Sequence, residues 1–205
     1  MRGVRSTIRM KPLSSGGRRI GLPALAIALA IAVVASPQPV AGQARRASEY
    51  ELKATFIYNL IRFVDWPEDV LPAASEALRL VIIGHDRFNG ALDRLLADKT
   101  VDHRSIVVVH AASGVTAPAA NIVFLAASEE QRLATVLAAY CHAPVLTVSD
   151  IDNFAGRGGV IGLVMEDQVV RFAINRTAAE EARLRISAQM FHLAVPLFSA
   201  VSPCR

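Results

Sequence analysis

Apolar and polar positions along this 205-residue chain recur with two periods, one helical and one extended. Phe56, Ile57, Leu60, Ile61 and Val64 repeat at three- and four-residue spacing and so share one helical face. Ser48 with Glu51 forms a capping-box start for that helix, and Pro67, just after Asp65-Trp66, closes it. Leu78–Ile83 is a short apolar run stopped by Gly84 and predicts a buried strand, after which Phe88, Ala91, Leu92 and Leu95 return to helical spacing over 88–96. Residues 105–109 and 121–126 are rich in Val and Ile and predict two more strands, parted by a Gly/Thr/Pro linker at 114–118. Ser128 and Gln131 make a second capping box, for a helix buried through Leu133, Val136, Leu137 and Tyr140, and residues 145–148 read as a further strand.

A turn-rich stretch, 149–159, leads into two β-branched runs, 160–165 and 169–174, separated only by Glu166-Asp167-Gln168. So short a link predicts an antiparallel hairpin. Thr177 with Glu180 opens a last helix running through Leu184, Ile186, Met190, Phe191 and Leu193 until Pro196 stops it. Strands alternating with helices place the chain in the α/β class. The expectation is a three-layer α/β/α sandwich, its sheet mostly parallel with an antiparallel hairpin near the C-terminus.

The first 44 residues change this picture. Arg2, Arg5, Arg9, Lys11, Arg18 and Arg19 precede an apolar run from Ile20 to Ala35, which ends in Ser36-Pro37-Gln38-Pro39. That order is a secretory signal, with cleavage expected between Ala41 and Ala44, and it makes residues 45–205 one exported, periplasmic domain. Six of the 22 basic residues and none of the 18 acidic ones lie in the signal. The remainder carries 16 basic against 18 acidic residues, a net charge of about −2, which removes the electrostatic support for nucleic-acid binding. With 53% of its residues hydrophobic, the chain can fill a real core. Export also puts Cys141 and Cys204 where disulfides persist, and one bridge tying the C-terminal tail to the body is the natural pairing.

Candidate chemistry is sparse. No Gly-x-Ser-x-Gly elbow is present, and Cys141 with His142 is a neighbour pair at a helix end rather than a nucleophile and its base. The five histidines lack the i, i+4 spacing of metal ligands, so neither a metal, a cofactor nor an enzymatic activity is expected. Gly156-Arg157-Gly158-Gly159 has the glycine content of a phosphate loop but precedes a strand, and reads better as a tight turn. Ligands of open parallel sheets sit outside the carboxyl ends of strands. Two such ends are polar: Gly84-His85-Asp86 and Ser149-Asp150 with Asp152 and Asn153, which together could line a small-molecule crevice or simply cap helices and turns. Trp66 could anchor a partner or fill the core.

Three segments together resemble the YfiR-like family of periplasmic proteins. One is Lys53-Ala54-Thr55-Phe56 through Asn59-Leu60 to Phe63-Val64-Asp65-Trp66-Pro67. Another is Phe154-Ala155-Gly156-Arg157-Gly158-Gly159-Val160-Ile161. The third is Val170-Arg171-Phe172-Ala173-Ile174-Asn175, followed by Leu184-Arg185-Ile186-Ser187-Ala188-Gln189 and Leu193-Ala194. The similarity covers about residues 49–195. It implies an α/β/α sandwich with a regulatory role. Its best-known members hold an inner-membrane diguanylate cyclase inactive by binding its periplasmic region, so that release raises cyclic-di-GMP and promotes biofilm formation. Other members look like accessories to sensor kinases or outer-membrane receptors. Family members often carry more cysteines than the two found here. The motif adds Phe154, Arg157, Arg171 and Asn175 to Trp66, His85, Asp86, Asp150 and Asp152 as candidates for holding a ligand or the partner. Arg171 could orient the 150–153 loop through a charge-assisted bond. The apolar face of the helix expected at 177–195 either covers the sheet or supports a homodimer.

Overall fold

A strand buried on both faces is built mainly from apolar residues, and three segments approach this: only Arg79 in the first, and Thr147 and Ser149 in the last, are polar. Leu78–Ile83 (β2), Ile122–Leu125 (β5) and Leu146–Ser149 (β6) are neighbours in the middle of a seven-stranded sheet and pair in parallel, Leu80 opposite Ile122 and Ile122 opposite Leu146. The computed structural model describes residues 41–71, 76–114, 119–197 and 199–204, with side chains from Glu49 onward. Arg104–Ala111 (β4) flanks β2 in parallel, and Thr100–Val101 (β3) turns back on it as an antiparallel edge. On the other side Ile161–Glu166 (β7) pairs parallel with β6 and antiparallel with Val169–Ile174 (β8). The order is β3-β4-β2-β5-β6-β7-β8, a mixed α/β fold on a mostly parallel sheet.

Alternation along the strands divides the core in two. Leu80, Ile82, Ile122, Phe124, Leu146 and Val148 face one cluster, which is closed by Ala41–Ile61 (α1) through Tyr50, Ala54, Ile57, Leu60 and Ile61 and by Ala91–Leu96 (α2) through Leu92 and Leu96. Val81, Ile83, Val123 and Leu125 point the other way, onto Leu133, Val136 and Leu137 of Leu133–Ala138 (α3), with Ile151 and Phe154.

Several helix boundaries differ from expectation, among them the end of the first helix, which stops at Ile61 rather than at Pro67, so that Val64 lies on a short strand and not on the helical face. Helix α1 begins at Ala41, seven residues before Ser48, where the helix formers Gln43, Ala44, Arg45, Arg46 and Ala47 outweigh the single Gly42. Of the expected export signal, residues 1–40 lie outside the described residues, and 41–44 form the first turn of α1. The Ser128 capping box does not form. A 3₁₀ helix, Ala127–Arg132, leads into α3, and the Ser128 hydroxyl is taken by the backbone N–H of His85 at 2.9 Å. The long C-terminal helix is three pieces: Arg176–Glu181 (α4), Arg185–Ile186 (β9) and Ala188–Leu193 (α5). Arg183 sits at φ 56° and ends α4, after which β9 pairs antiparallel with Val64–Asp65 (β1). Leu184 and Ile186 are spaced by two, an extended period that the helical reading absorbed. The cap of α4 is Asn175, whose Oδ1 accepts from Ala178 N–H at 3.0 Å, not Thr177.

Cys141 and Cys204 are bridged, closing 63 residues of chain with their Cα atoms 5.2 Å apart. Of the 114–118 linker, 115–118 lie outside the described residues. Among the described residues no helix is long and apolar enough to cross a membrane.

The glycine loop is a turn. Gly158 adopts φ 106°, and a Cβ on Gly159 would lie 2.0 Å from the ring of buried Phe154. Gly159→Ala is therefore expected to cost about 1–3 kcal/mol through overpacking, read as a lower urea midpoint at unchanged slope. Stability equal to the native chain would mean the Phe154 ring moves freely.

Candidate functional site

Because β2 leads outward to β4 while β5 and β6 lie on its other side, the carboxyl ends of β2, β4, β5 and β6 gather four loops on one rim of the sheet. In an open α/β sheet this reversal of strand order is where ligands bind. Here the rim is filled by the protein's own side chains. At the β2 and β5 ends, Glu129 is fully buried and its carboxylate accepts hydrogen bonds from the Ser113 hydroxyl, from Gly114 N–H at 3.2 Å and from the Ser128 hydroxyl at 3.4 Å. Gly84, at φ 95°, lies against Ser128 and Glu129, so close that a Cβ there would meet both side chains. Sequence reasoning missed Glu129; its signal is an acid placed just after a buried apolar strand and beside Ser128.

At the β6 end Asp150 is buried and its Oδ2 accepts from the Tyr50 hydroxyl at 2.6 Å and from Lys53 Nζ at 2.7 Å. Tyr50 and Lys53 come from α1, one helical turn apart, and Lys53 also pairs with Glu49 and lies 4.6 Å over the Tyr50 ring. Asp150 Oδ1 is buried with no hydrogen-bond partner. Arg87 Nη1 reaches the Tyr50 oxygen at 3.4 Å, so the β2 and β6 loops, expected to flank an open crevice, are joined through α1. Ser149 is equally committed: its hydroxyl donates to the Leu125 carbonyl at 2.7 Å and accepts from Ile151 N–H.

Burial, and then the hydrogen bond to the Asp150 carboxylate, pushes the Tyr50 hydroxyl well above its ordinary value of 10. The folded chain thus holds this proton more tightly than the unfolded chain. Its contribution is complete below about pH 10 and is lost as the pH rises above it. Tyr50→Phe should flatten the alkaline fall in stability, followed as urea midpoints on either side of that pH. An unchanged alkaline slope would show that Tyr50 does not carry the linkage.

The remaining candidates divide into buried and exposed. His85 is held by its backbone to Ser128, while Asp86 Oδ1 accepts from Phe88 N–H at 2.7 Å and its Oδ2 lies 3.4 Å from His110 Nδ1. Trp66 is 7% exposed and belongs to the core, where the helix end and β1 close over it; its buried indole N–H has no hydrogen-bond partner. Trp66 also borders a groove of about 430 Å³ lined with Asp65, Pro67, Glu68, Arg183 and Arg185. Arg183 donates to both carboxylate oxygens of Asp69 and holds that carboxyl below the usual range.

Phe154 is 1% exposed and is core as well, packed onto Gly159. Asn175, also 1% exposed, caps α4 and donates to the carbonyls of Ala155 at 2.8 Å and Val201 at 2.9 Å. Arg171 does not reach the 150–153 loop; on the exposed edge strand β8 it pairs across the hairpin with Glu166 at 2.7 Å. The loop is braced instead by Arg157, which bonds Glu130 at 2.9 Å and the Asp152 carbonyl at 3.5 Å. Asp152 and Asn153, with Val164, Val195, Pro196, Leu197 and Ser199, line a second cleft of about 380 Å³.

Glu129, Ser149 and Asp150 on this rim are each bonded to neighbouring elements, and the grooves at Trp66 and beside Asp152 are among those open at the surface of the described residues. The YfiR/HmsC-like family model matches residues 50–195, from the Tyr50 clamp to the end of α5. The chain belongs to the YfiR/HmsC-like family. Members of this YfiR-like family are periplasmic regulators rather than catalysts. No curated protein matches the chain significantly. The family match encloses both halves of the clamp, Tyr50 with Lys53 and Asp150, and the whole Gly156–Asn175 motif region that closes over Phe154.

Proposed function

We propose that this YfiR-like protein is exported by its N-terminal signal, is trimmed near residue 44 and represses an inner-membrane signalling partner, a diguanylate cyclase, by docking on its periplasmic region. In this reading the two helical layers over the sheet make a three-layer α/β/α sandwich that serves as a rigid binding module. The family match over residues 50–195 carries the reading. The cleft beside Asp152 supports it as the docking place: it is rimmed by Val164, 38% exposed, on a strand that lies next to the edge of the sheet. A stimulus moves such a partner between states only by the difference in its binding free energy to the two, a few kcal/mol for a substantial shift.

A second reading, a periplasmic receptor for a small ligand, is favoured by the volume of that cleft, about 380 Å³, within the usual range of ligand pockets. In-cell cross-linking separates the two. A photo-reactive residue at Asp152 in tagged full-length protein should capture an inner-membrane cyclase, and deletion of the gene should raise cyclic-di-GMP. Capture of the protein alone, with unchanged cyclic-di-GMP in a strain that keeps the cyclase, would overturn repression. A rise in melting temperature with a metabolite, about 2.7 kcal/mol of stabilisation at a hundredfold excess over its dissociation constant, would then favour the receptor.

A further inference from the structure

Among the described residues, one group of metal-ligating side chains has its donor atoms gathered tightly: Cys141, His142 and Cys204, all within 4.8 Å of one another. Sequence spacing hides it, because Cys204 is 63 residues from Cys141 and the two are neighbours only after the tail folds back. The cluster lies apart from the carboxyl rim of the sheet and from both clefts. We propose that reduction of the Cys141–Cys204 bridge converts this corner into a site for a thiolate-seeking cation of the zinc class, held by the two sulfurs and His142 Nδ1.

The donor set suits that ion. Zinc takes Cys sulfur at about 2.3 Å and His nitrogen at about 2.0–2.1 Å in a tetrahedron, which sets each sulfur-to-nitrogen edge at about 3.5 Å. Cys204 Sγ already lies 3.9 Å from His142 Nδ1. The two sulfurs must part to about 3.8 Å, the sulfur-to-sulfur edge of the same tetrahedron. Cα atoms 5.2 Å apart permit this by rotation of the side chains. His142 is exposed, so the fourth position falls to water, as in zinc sites with three protein ligands.

The site is positioned by contacts other than the bridge. His142 sits at φ 57°, just beyond the turn in which Cys141 N–H donates to the Ala138 carbonyl. The tail is fastened by Val201 N–H to the Gly156 carbonyl, by Asn175 Nδ2 to the Val201 carbonyl and by the Ser202 hydroxyl to Glu181 at 2.7 Å. Cys204 N–H then donates to Ser202 Oγ at 3.0 Å. None of these four bonds runs through the sulfurs, so they can hold the tail beside His142 once the sulfur bond opens.

The chemistry balances with a dithiol as reductant. The dithiol delivers two electrons and two protons to the sulfur–sulfur bond and is itself oxidised to a disulfide, leaving two cysteine thiols. The cation displaces the two thiol protons into solvent and accepts a lone pair from each thiolate and one from Nδ1 of the neutral imidazole, whose proton rests on Nε2. The metal thereby replaces the disulfide as the tether of the tail.

The test uses the full chain, reduced by a phosphine under anaerobic conditions and titrated with cobalt(II), then zinc. The expected result is one cobalt per chain with thiolate-to-metal charge-transfer absorption, displaced by one equivalent of zinc. The oxidised chain should show none of this. His142→Asn, which keeps a residue tolerant of positive φ, should bind about 100-fold more weakly at the same far-ultraviolet circular dichroism. If reduction unfolds the chain, zinc should refold it, with His142→Asn needing correspondingly more metal. Absence of the charge-transfer band, failure of zinc to refold a reduced chain, equal affinity of His142→Asn or equal binding by the oxidised chain would each overturn the site.

Discussion

Lys53→Met should lower the folding stability by about 3–5 kcal/mol, the usual cost of leaving one partner of a buried ion pair uncompensated. Lys53 and Asp150 have 5% and 6% of their side chains exposed, and the pair spans α1 and the end of β6. Methionine fills the space of the lysine stem, so the loss reports the charge and not a cavity. Asp150 would retain only the Tyr50 hydroxyl, with Oδ1 already unpartnered. Adding Asp150→Asn to Lys53→Met should recover most of the loss, because replacing both members of a buried pair is often close to neutral. Urea unfolding of the two variants provides the measurement. A single-variant cost below about 1 kcal/mol, the range of exposed pairs, would show that water reaches the clamp.

Removing the bridge should have an effect of the same size. Cys141→Ser with Cys204→Ser frees 63 residues of the unfolded chain, and the chain-entropy relation gives a loss of about 4 kcal/mol. The segment between the cysteines holds β6, β7, β8 and α4, so the bridge restrains one whole side of the sheet. Small domains have about 5–15 kcal/mol in total, and a loss of this order moves the chain close to its unfolding threshold at growth temperature. Thermal unfolding with and without reductant measures it. A melting temperature indifferent to reduction would mean that the tail contacts around Val201 and Ser202 alone hold the native state.

Local pattern carried much of the fold. β2, β5 and β6 are short, largely apolar runs, so strands there and the mixed α/β class with a mostly parallel sheet could be read directly, while the order of the strands could not. The segment from Lys53 through α1 to Asp65-Trp66-Pro67 and the motif from Phe154 to Asn175 were enough to reveal the YfiR-like family, which the match over residues 50–195 shows. What failed were signals that depend on a neighbour distant in sequence. Ser128 has the spacing of a helix cap, yet it bonds His85 because the β2 loop arrives beside it. Leu184 and Ile186 fit a helix until β1 is there to pair with them.

The candidate residues show the same division. Asp150, Phe154 and Asn175 were singled out for recognition, and the tertiary structure gives each of them a structural bond or a packing place. An acid's chemistry is set by what surrounds it. Nothing within a few residues of Asp150 reveals that Lys53, 97 positions away, will bury with it, or that Glu129 will meet Ser113 and Gly114. The sequence by itself determined the α/β class, the largely apolar strands, the family and the presence of two cysteines that could pair. Only the folded chain decided that the rim is closed by its own side chains and that His142 stands beside the bridge, because periodicity records which face a residue takes and contact across the fold records whom it meets.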